Sequence, residues 1–535
     1  MTIRFDISFL LGALLLGPSL VTAQPAQSSK PSQAAQPATG DVPYSLRLQA
    51  FTIPGFPGLH SSVLAGGPDQ VVLLGGRTNG LHGFAPSTDA AQAPSFPRTS
   101  ANTNVYVLDL IQRKLLGQAP VTGLPQPYLS QFQATNLQYL LLDGFLYIVG
   151  GYGPDPRTGT MVTLPFLTAV DFAALVKTVT NGGTLDAAFA QANMASFTHP
   201  ALAITGGDLE LQNGAFLLMY GQLFNGEYTV NGGGQVQQEY SNSIRVFSIQ
   251  ATRGTGGVQL QASYTGSYPN VTSGMDPDNP YHRRDLTIAP ALDPGGNPRI
   301  GVYGGVFKGG KMQGYVTPLY VTPGSNVGVS VSEDTTAAQL LSQYDCATLQ
   351  LYSKSRGAMY STFFGGISQF YWDPSCDCLK GDAVNLSTKP VDGLPFISSV
   401  STFRVTSAGS AQYLHQGIAF PPAGAEPTCP GMNGGTVTSQ YLGSETKFVP
   451  AASLASTNEV ILLDNLTTPT VLGYLIGGIA AWCPPVNGQA VPNCYASGQG
   501  TTCASSQIYQ LTLDPGTATP SVKLSAPATG ATTGR

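Results

Sequence analysis

Five histidines stand in a chain of 535 residues, and four of them fall at comparable places beside apolar strands: His60 (GLHSSV), His199 (THPALAI), His282 (YHRRDL) and His415 (YLHQGI). Imidazoles at matched positions of a repeating unit can form one polar patch that donates, accepts and carries a proton near neutrality. The alternative is that each ring satisfies backbone groups next to it. His282-Arg283-Arg284-Asp285 is the densest charged group in the sequence. A guanidinium there offers a rigid donor fork to a carboxylate or a sugar hydroxyl, or else pairs with Asp285 to hold neighbouring units together. Arg77, Gln222 and Gln369 follow recurring glycines and are placed to line loops beside such a patch.

Other chemistries leave weaker marks. Asp276-Pro277-Asp278-Asn279 resembles the start of a calcium loop but lacks the later ligands, and it reads more simply as a turn. Zinc would want Cys-x-x-Cys pairs at matched spacing. The seven cysteines instead cluster irregularly, at Cys346, Cys376, Cys378, Cys429, Cys483, Cys494 and Cys503. In an oxidising compartment they are expected to form disulfides, and an odd number leaves at least one unpaired within the chain. His-Glu-x-x-His and Gly-x-Ser-x-Gly motifs are missing. No catalytic residues are assigned.

These side chains must be positioned by something, and the sequence is explicit about what. An apolar strand running into a Gly pair recurs as VVLLGG (Val71 to Gly76), LYIVGG (Leu146 to Gly151), IGVYGG (Ile300 to Gly305), YSTFFGG (Tyr360 to Gly366) and GYLIGG (Gly473 to Gly478). FLLMYGQ (Phe216 to Gln222) is a weaker copy, read with Gln222 in place of the second glycine. A hairpin partner precedes most copies, as with Asp143-Gly144, a strong two-residue turn signal. A third strand and a short fourth follow, such as SIRVFSI (Ser243 to Ile249) and VQLQASY (Val258 to Tyr264). A four-stranded meander that cannot bury its own faces must stack against neighbours, and a closed ring of such sheets leaves few open edges. Six units are expected, with seven as the alternative; Tyr44 to Phe51 is the segment expected to close the ring. Phe172 to Thr178 and Leu185 to Met194 read as short inserted helices.

The strand-Gly-Gly unit with its following strands resembles the Kelch repeat family of β-propellers, over roughly Tyr44 to Pro515. Within it, Tyr281 to Tyr371 is similar to secreted bacterial Kelch-like proteins. The resemblance implies an all-β, Kelch-type β-propeller whose binding surface lies on one end of the ring, near the central channel. Copper radical oxidases are also Kelch-like propellers, and the Tyr281-His282 pair is similar to their adjacent Tyr-His ligands, with His415 as a further one. This keeps copper, and a carbohydrate-active site at the channel mouth, as alternatives to a non-catalytic binding propeller.

The chain carries a net charge of −5, and only 10% of its residues are charged. No basic face is available for phosphates, so nucleic acid is excluded as a partner and an extracellular glycan or protein is expected. Arg4, the apolar run Phe9 to Leu16 and Val21-Thr22-Ala23 read as an export leader over residues 1–23. That run is too short for a membrane span of about 20 residues. Residues 24–42 read as a polar linker, 43–515 as the propeller and 516–535 as a mostly flexible tail holding one possible strand at Val522 to Leu524. The mature protein is expected to be secreted.

Overall fold

The computed structural model describes residues 40–81, 96–226, 236–269, 279–310, 313–381, 394–430, 435–452, 454, 456–483 and 501–526. The leader, nearly all of the linker, the Asp276–Asp278 segment and Cys494 lie outside them.

The fold is an all-β propeller. Five sheets have four strands each, and a sixth carries the same four-strand meander enlarged to seven. The first blade runs through Val63–Ala65, Val71–Leu74, Asn104–Asp109 and Lys114–Pro120. The second spans Gln138 to Thr198, the third Asp208 to Tyr268 and the fourth Leu286 to Glu333. The fifth is built on Thr348–Ser353, Ala358–Phe364, Ser399–Thr406 and Gly409–Ala419. In the sixth, Lys447–Pro450, Thr470–Ile476 and Ile508–Asp514 are joined by the N-terminal strand Ser45–Phe51, which pairs antiparallel with Ile508–Asp514. Both ends of the chain therefore share one blade, as the sequence led us to expect. The described residues hold no seventh four-strand meander.

Each blade buries both faces against its neighbours, which is why its second strand is largely apolar, and apolar at every position in Val71–Leu74 and Phe145–Val149. The core is accordingly a circle of separate interfaces. Val72, Val107, Leu146 and Ile148 pack between the first two blades, and Val149, Leu167, Phe216 and Phe247 between the next two. Leu217, Val246 and Val302 fill the third interface, and Tyr303, Phe363 and Phe403 the fourth. Leu351, Tyr360, Leu475 and Leu511 bridge the fifth and sixth blades, and Ile476, Ile508, Val71 and Leu73 close the circle.

The Gly pairs are the stitches of this ring. Both residues of each pair adopt left-handed φ, for example 61° and 86° at Gly150 and Gly151. The second N–H then donates to a carbonyl of the next blade: Gly76 to Ala134, Gly151 to Ile204, Gly366 to Leu442 and Gly478 to Leu59, at 2.8–3.1 Å. A Cβ at Gly150 would lie 2.2 Å from the Ile204 oxygen, and at Gly365 2.0 Å from that of Leu442. The third blade corrects the sequence alignment. Tyr220, at φ 59°, occupies the first glycine position, Gly221 donates to the Arg283 carbonyl at 3.0 Å, and Gln222 is the residue after the pair.

The long interval before the last Gly pair supplies two additions. A hairpin of Ser456–Thr457 and Val460–Leu462 turns at Asn458 and Glu459 and pairs parallel with Leu351 and Tyr352 of the fifth blade's innermost strand. A second hairpin, Thr428–Pro430 with Thr436–Thr438, is tethered by the Cys429–Cys503 disulfide. The tail strand Ser521–Lys523 covers the outer edge of the fifth blade. The two inserted helices occupy Phe172–Thr180 and Ala187–Asn193, each capped by the aspartate before it, Asp171 and Asp186. No helix among the described residues is long and apolar enough to cross a membrane.

The cysteines pair differently from a simple clustering by sequence. Cys376 and Cys378 bond to each other, and Cys483 is also disulfide-bonded. Cys346, a disulfide candidate from sequence, is instead a free buried thiol. It packs between the fourth and fifth blades, its Sγ lies 3.0 Å from the Gln343 carbonyl it donates to, and burial pushes its pKa up to about 12.

Candidate functional site

One residue before or near the start of each innermost strand, the backbone takes the same left-handed turn: Ser61, Asn136, Gly206, Asp285, Asp345 and Glu445, with φ between 49° and 65° except Asp345 at 46°. The residue ahead of each is bonded to the one that follows the same blade's Gly pair. These bonds join His60 to Arg77, Thr135 to Tyr152, Thr205 to Gln222, Arg284 to Val306, Tyr344 to Ile367 and Ser444 to Ile479. Sixfold repetition of this local geometry brings twelve residues to one end of the ring.

They surround two connected cavities. An outer mouth of about 110 Å³ lies among the His60, Thr135, Arg284 and Tyr344 side chains, walled by Phe96, Tyr152, Phe224 and Phe307. A channel of about 340 Å³ continues beneath it. Ser61, Asn136, Asp285, Asp345 and Glu445 line both, so they form the boundary between mouth and channel. The far part of the channel meets Glu459, from the added hairpin.

The channel is acidic. Asp208, Asp285, Asp345, Glu445 and Glu459 face one lysine, Lys447, whose Nζ lies 3.4 Å from Asp345 Oδ1. Burial lowers the Lys447 pKa, but Asp345, Tyr139, Glu445 and Asp208 more than reverse this and hold the ammonium charged. Burial raises Asp208 to about 6, with Lys447 opposing. Burial and the adjacent Asp345 push Glu445 well above the carboxylate range, with Lys447 opposing. Asp285 is raised by burial and partly restored by its ion pair with Arg284.

Several polar atoms at the mouth lack a partner. Thr135 is 5% exposed and its Oγ1 makes no hydrogen bond; nor do Asn136 Oδ1 and His60 Nε2. His60 Nδ1 lies 2.9 Å from Ser61 Oγ, and burial beside Arg77 lowers the ring's pKa to about 4, so it is neutral at pH 7. Buried polar atoms without partners are rare in folded proteins and mark places where a ligand or water completes the set.

Of the residues singled out from sequence, His60, Arg77, Gln222 and Arg284 line the mouth. Arg77 donates to Asn79 and the Pro97 carbonyl and lies over Phe96; Gln222 accepts from Gln238; Arg284 donates to Tyr240 and pairs with Asp285. His282 sits one layer behind, stacked on Tyr240 at 3.8 Å with Nδ1 2.9 Å from Asn242. Arg283 is fully buried and bonds the carbonyls of Pro280, Gly304 and Thr317, a structural clamp. Gln369 ties Gly314 and Ser342 together. His199 accepts from the Ala201 N–H among Phe197, Phe247 and Tyr264. His415 lies in an outer strand, 2.7 Å from Thr402 and beside Tyr44. The four histidines therefore do not converge, and His282 and His415 have separate surroundings. The described residues contain no group of three or more His, Cys, Asp or Glu able to hold a metal ion.

The sequence does not single out the ring of lead-in residues, chiefly Asn136, Asp345 and Glu445, and names Asp285 only as an arginine partner. Its signal is positional: each stands at the start of the strand before the one that ends in a Gly pair.

No protein-family model matches the chain, and no curated protein does. Among solved structures it is similar to one described as "Structure of YjhT", with 11% identity and a TM-score of 0.41, over 85% of this chain and 95% of that one. At that level no functional argument is drawn from the likeness; the propeller is read from its strand pairing.

Proposed function

We propose that this chain is a Kelch-type propeller that acts outside the cytoplasm as a glycan-binding protein, with the sugar seated at the channel mouth. The observation that carries the reading is the combination at one opening of unpartnered polar atoms (Thr135 Oγ1, Asn136 Oδ1, His60 Nε2) with aromatic walls (Phe96, Tyr152, Phe224, Phe307). Sugars present hydroxyls that need donors and acceptors, and ring faces that pack on aromatics, so both halves of such a surface are used. The disulfides support an oxidising compartment.

The test is binding to a glycan array, followed by titration of the best ligand against Thr135→Val. That change keeps the shape and removes a hydroxyl with no partner, so the fold should be as stable as before while affinity falls about tenfold. Unchanged affinity, or no glycan bound at all with a protein partner recovered instead, would reject the reading. The neighbouring carboxyls Asp345 and Glu445, which line both mouth and channel, favour a second reading, a carbohydrate-active enzyme at the same mouth. Release of shortened products from the bound glycan, abolished by Glu445→Gln, would establish it.

A further inference from the structure

A third cavity, of about 270 Å³, opens beside the mouth, between the first and second blades. It is not a separate pit, because Arg77, Phe96, Thr135 and Tyr152 line both it and the mouth. Together they make one groove running outward from the channel. Phe96 and Tyr152 meet edge to face, with ring centroids 4.9 Å apart, where the two spaces join.

The groove differs from the mouth in its charge. At the channel the fixed charges are mostly carboxylates; here Arg98 stands exposed at the side, with Nη2 donating to the Gly159 carbonyl, and Arg77 lies between the two spaces. Among the described residues lining this cavity the one carboxylate is Asp155, which stays charged but has its Oδ1 taken up by the N–H groups of Thr158 and Arg157 in its own turn. Two hydroxyls lining the groove have no partner although both are nearly inaccessible: Ser130 Oγ, in a residue 1% exposed, and Thr135 Oγ1. A guanidinium with open donor positions and buried hydroxyls without partners are the features of a site for an oxyanion carried on a polar ligand.

We infer that this groove is an anion subsite, and that the ligand is an acidic polysaccharide whose chain runs from the channel mouth across the Phe96–Tyr152 junction, with an acidic group against Arg98. The inference rests on the glycan reading of the mouth and deepens it. The charges also fix direction: an acidic group is disfavoured beside Asp345 at the channel and drawn to Arg98, so the mouth takes hydroxyls and the groove takes the anion. The acidic group is a carboxylate or a sulfate, and the two are separated by the choice of probe.

The experiment is calorimetric titration of the full chain with three probe sets: uronic-acid oligosaccharides, the same oligosaccharides methyl-esterified, and sulfated oligosaccharides. Each set is repeated with Arg98→Ala and Arg98→Lys. Esterification keeps every ring and hydroxyl and removes only the charge. Acid should bind about tenfold or more tightly than ester, the preference should vanish in Arg98→Ala, and Arg98→Lys should keep part of it. A sulfate preference with the same dependence on Arg98 would support the subsite and identify sulfate as the anion. Equal affinity for acid, ester and sulfate, with neutral oligosaccharides still bound, would overturn the anion subsite and leave the glycan reading standing. Failure of all saccharides to bind would overturn both. Arg98 is exposed on a short turn, so loss of fold is not expected; a circular-dichroism melt of each variant checks this.

Discussion

Replacing Gly150 by alanine tests the ring at the contact between its second and third blades. At φ 61° an L side chain incurs about 1–2 kcal/mol of left-handed strain. The new Cβ would sit 2.2 Å from the Ile204 oxygen and 2.9 Å from that of Leu202, both backbone atoms that cannot swing aside. Relief requires the third blade to retreat, which breaks the 2.9 Å bond from Gly151 N–H to Ile204 and leaves a buried donor, at about 1–3 kcal/mol. Gly150→Ala should therefore destabilise by roughly 2–5 kcal/mol by adding these two terms. Gly182→Ala is the control: its φ is 69°, with nothing within 4 Å of the added Cβ, so only the strain of about 1–2 kcal/mol applies. Urea unfolding followed by circular dichroism compares the midpoints of both variants with the parent. If Gly150→Ala unfolds at the same midpoint as Gly182→Ala, the Gly pairs are not blade-to-blade stitches and the reasoning fails.

His415 is 3% exposed and burial holds its pKa near 3, so the folded chain keeps the ring neutral where the unfolded chain, with a pKa near 6.5, protonates it. Its contribution is present in full above pH 6.5 and lost as pH falls toward 3, by up to about 5 kcal/mol at 1.36 kcal/mol per pKa unit. Stability measured against pH should accordingly show the gap between the parent and His415→Gln moving in the variant's favour over that window; a gap independent of pH counts against a buried neutral ring. The Cys429–Cys503 bond closes a separation of 74 residues, for which loop entropy gives about 4 kcal/mol. A Cys429→Ser chain should unfold at lower urea by a corresponding amount, and an unchanged midpoint would show that the hairpin Thr428–Thr438 contributes nothing to cooperative stability.

The scaffold was legible because its signal is repeated. A strand buried on both faces is largely apolar, and left-handed backbone pressed against the next blade selects glycine, so the two marks recur together. Tyr220 was misaligned because it takes the glycine conformation despite its side chain, and a sequence shows identity rather than φ. The lead-in ring was hidden for the same reason: Ser61, Asn136, Gly206, Asp285, Asp345 and Glu445 share a conformation and not a chemistry. Histidines attracted attention by rarity, yet of the four singled out only His60 faces the mouth; His199 and His415 serve strand packing. Cys346 was grouped with disulfide candidates because spacing does not reveal that it packs deep between two blades. The hairpin at Ser456–Leu462 lay in a stretch whose length signalled an insertion without signalling where it would fold.

A crystal structure of the chain with its best array glycan is the most direct test of the channel mouth as the ligand site. The account predicts sugar density between Phe96, Tyr152 and Phe307, hydrogen-bonded to Thr135 and Asn136 and extending toward Arg98. Sugar bound on the opposite end of the ring or along an outer blade edge, with the mouth holding only water, would contradict it.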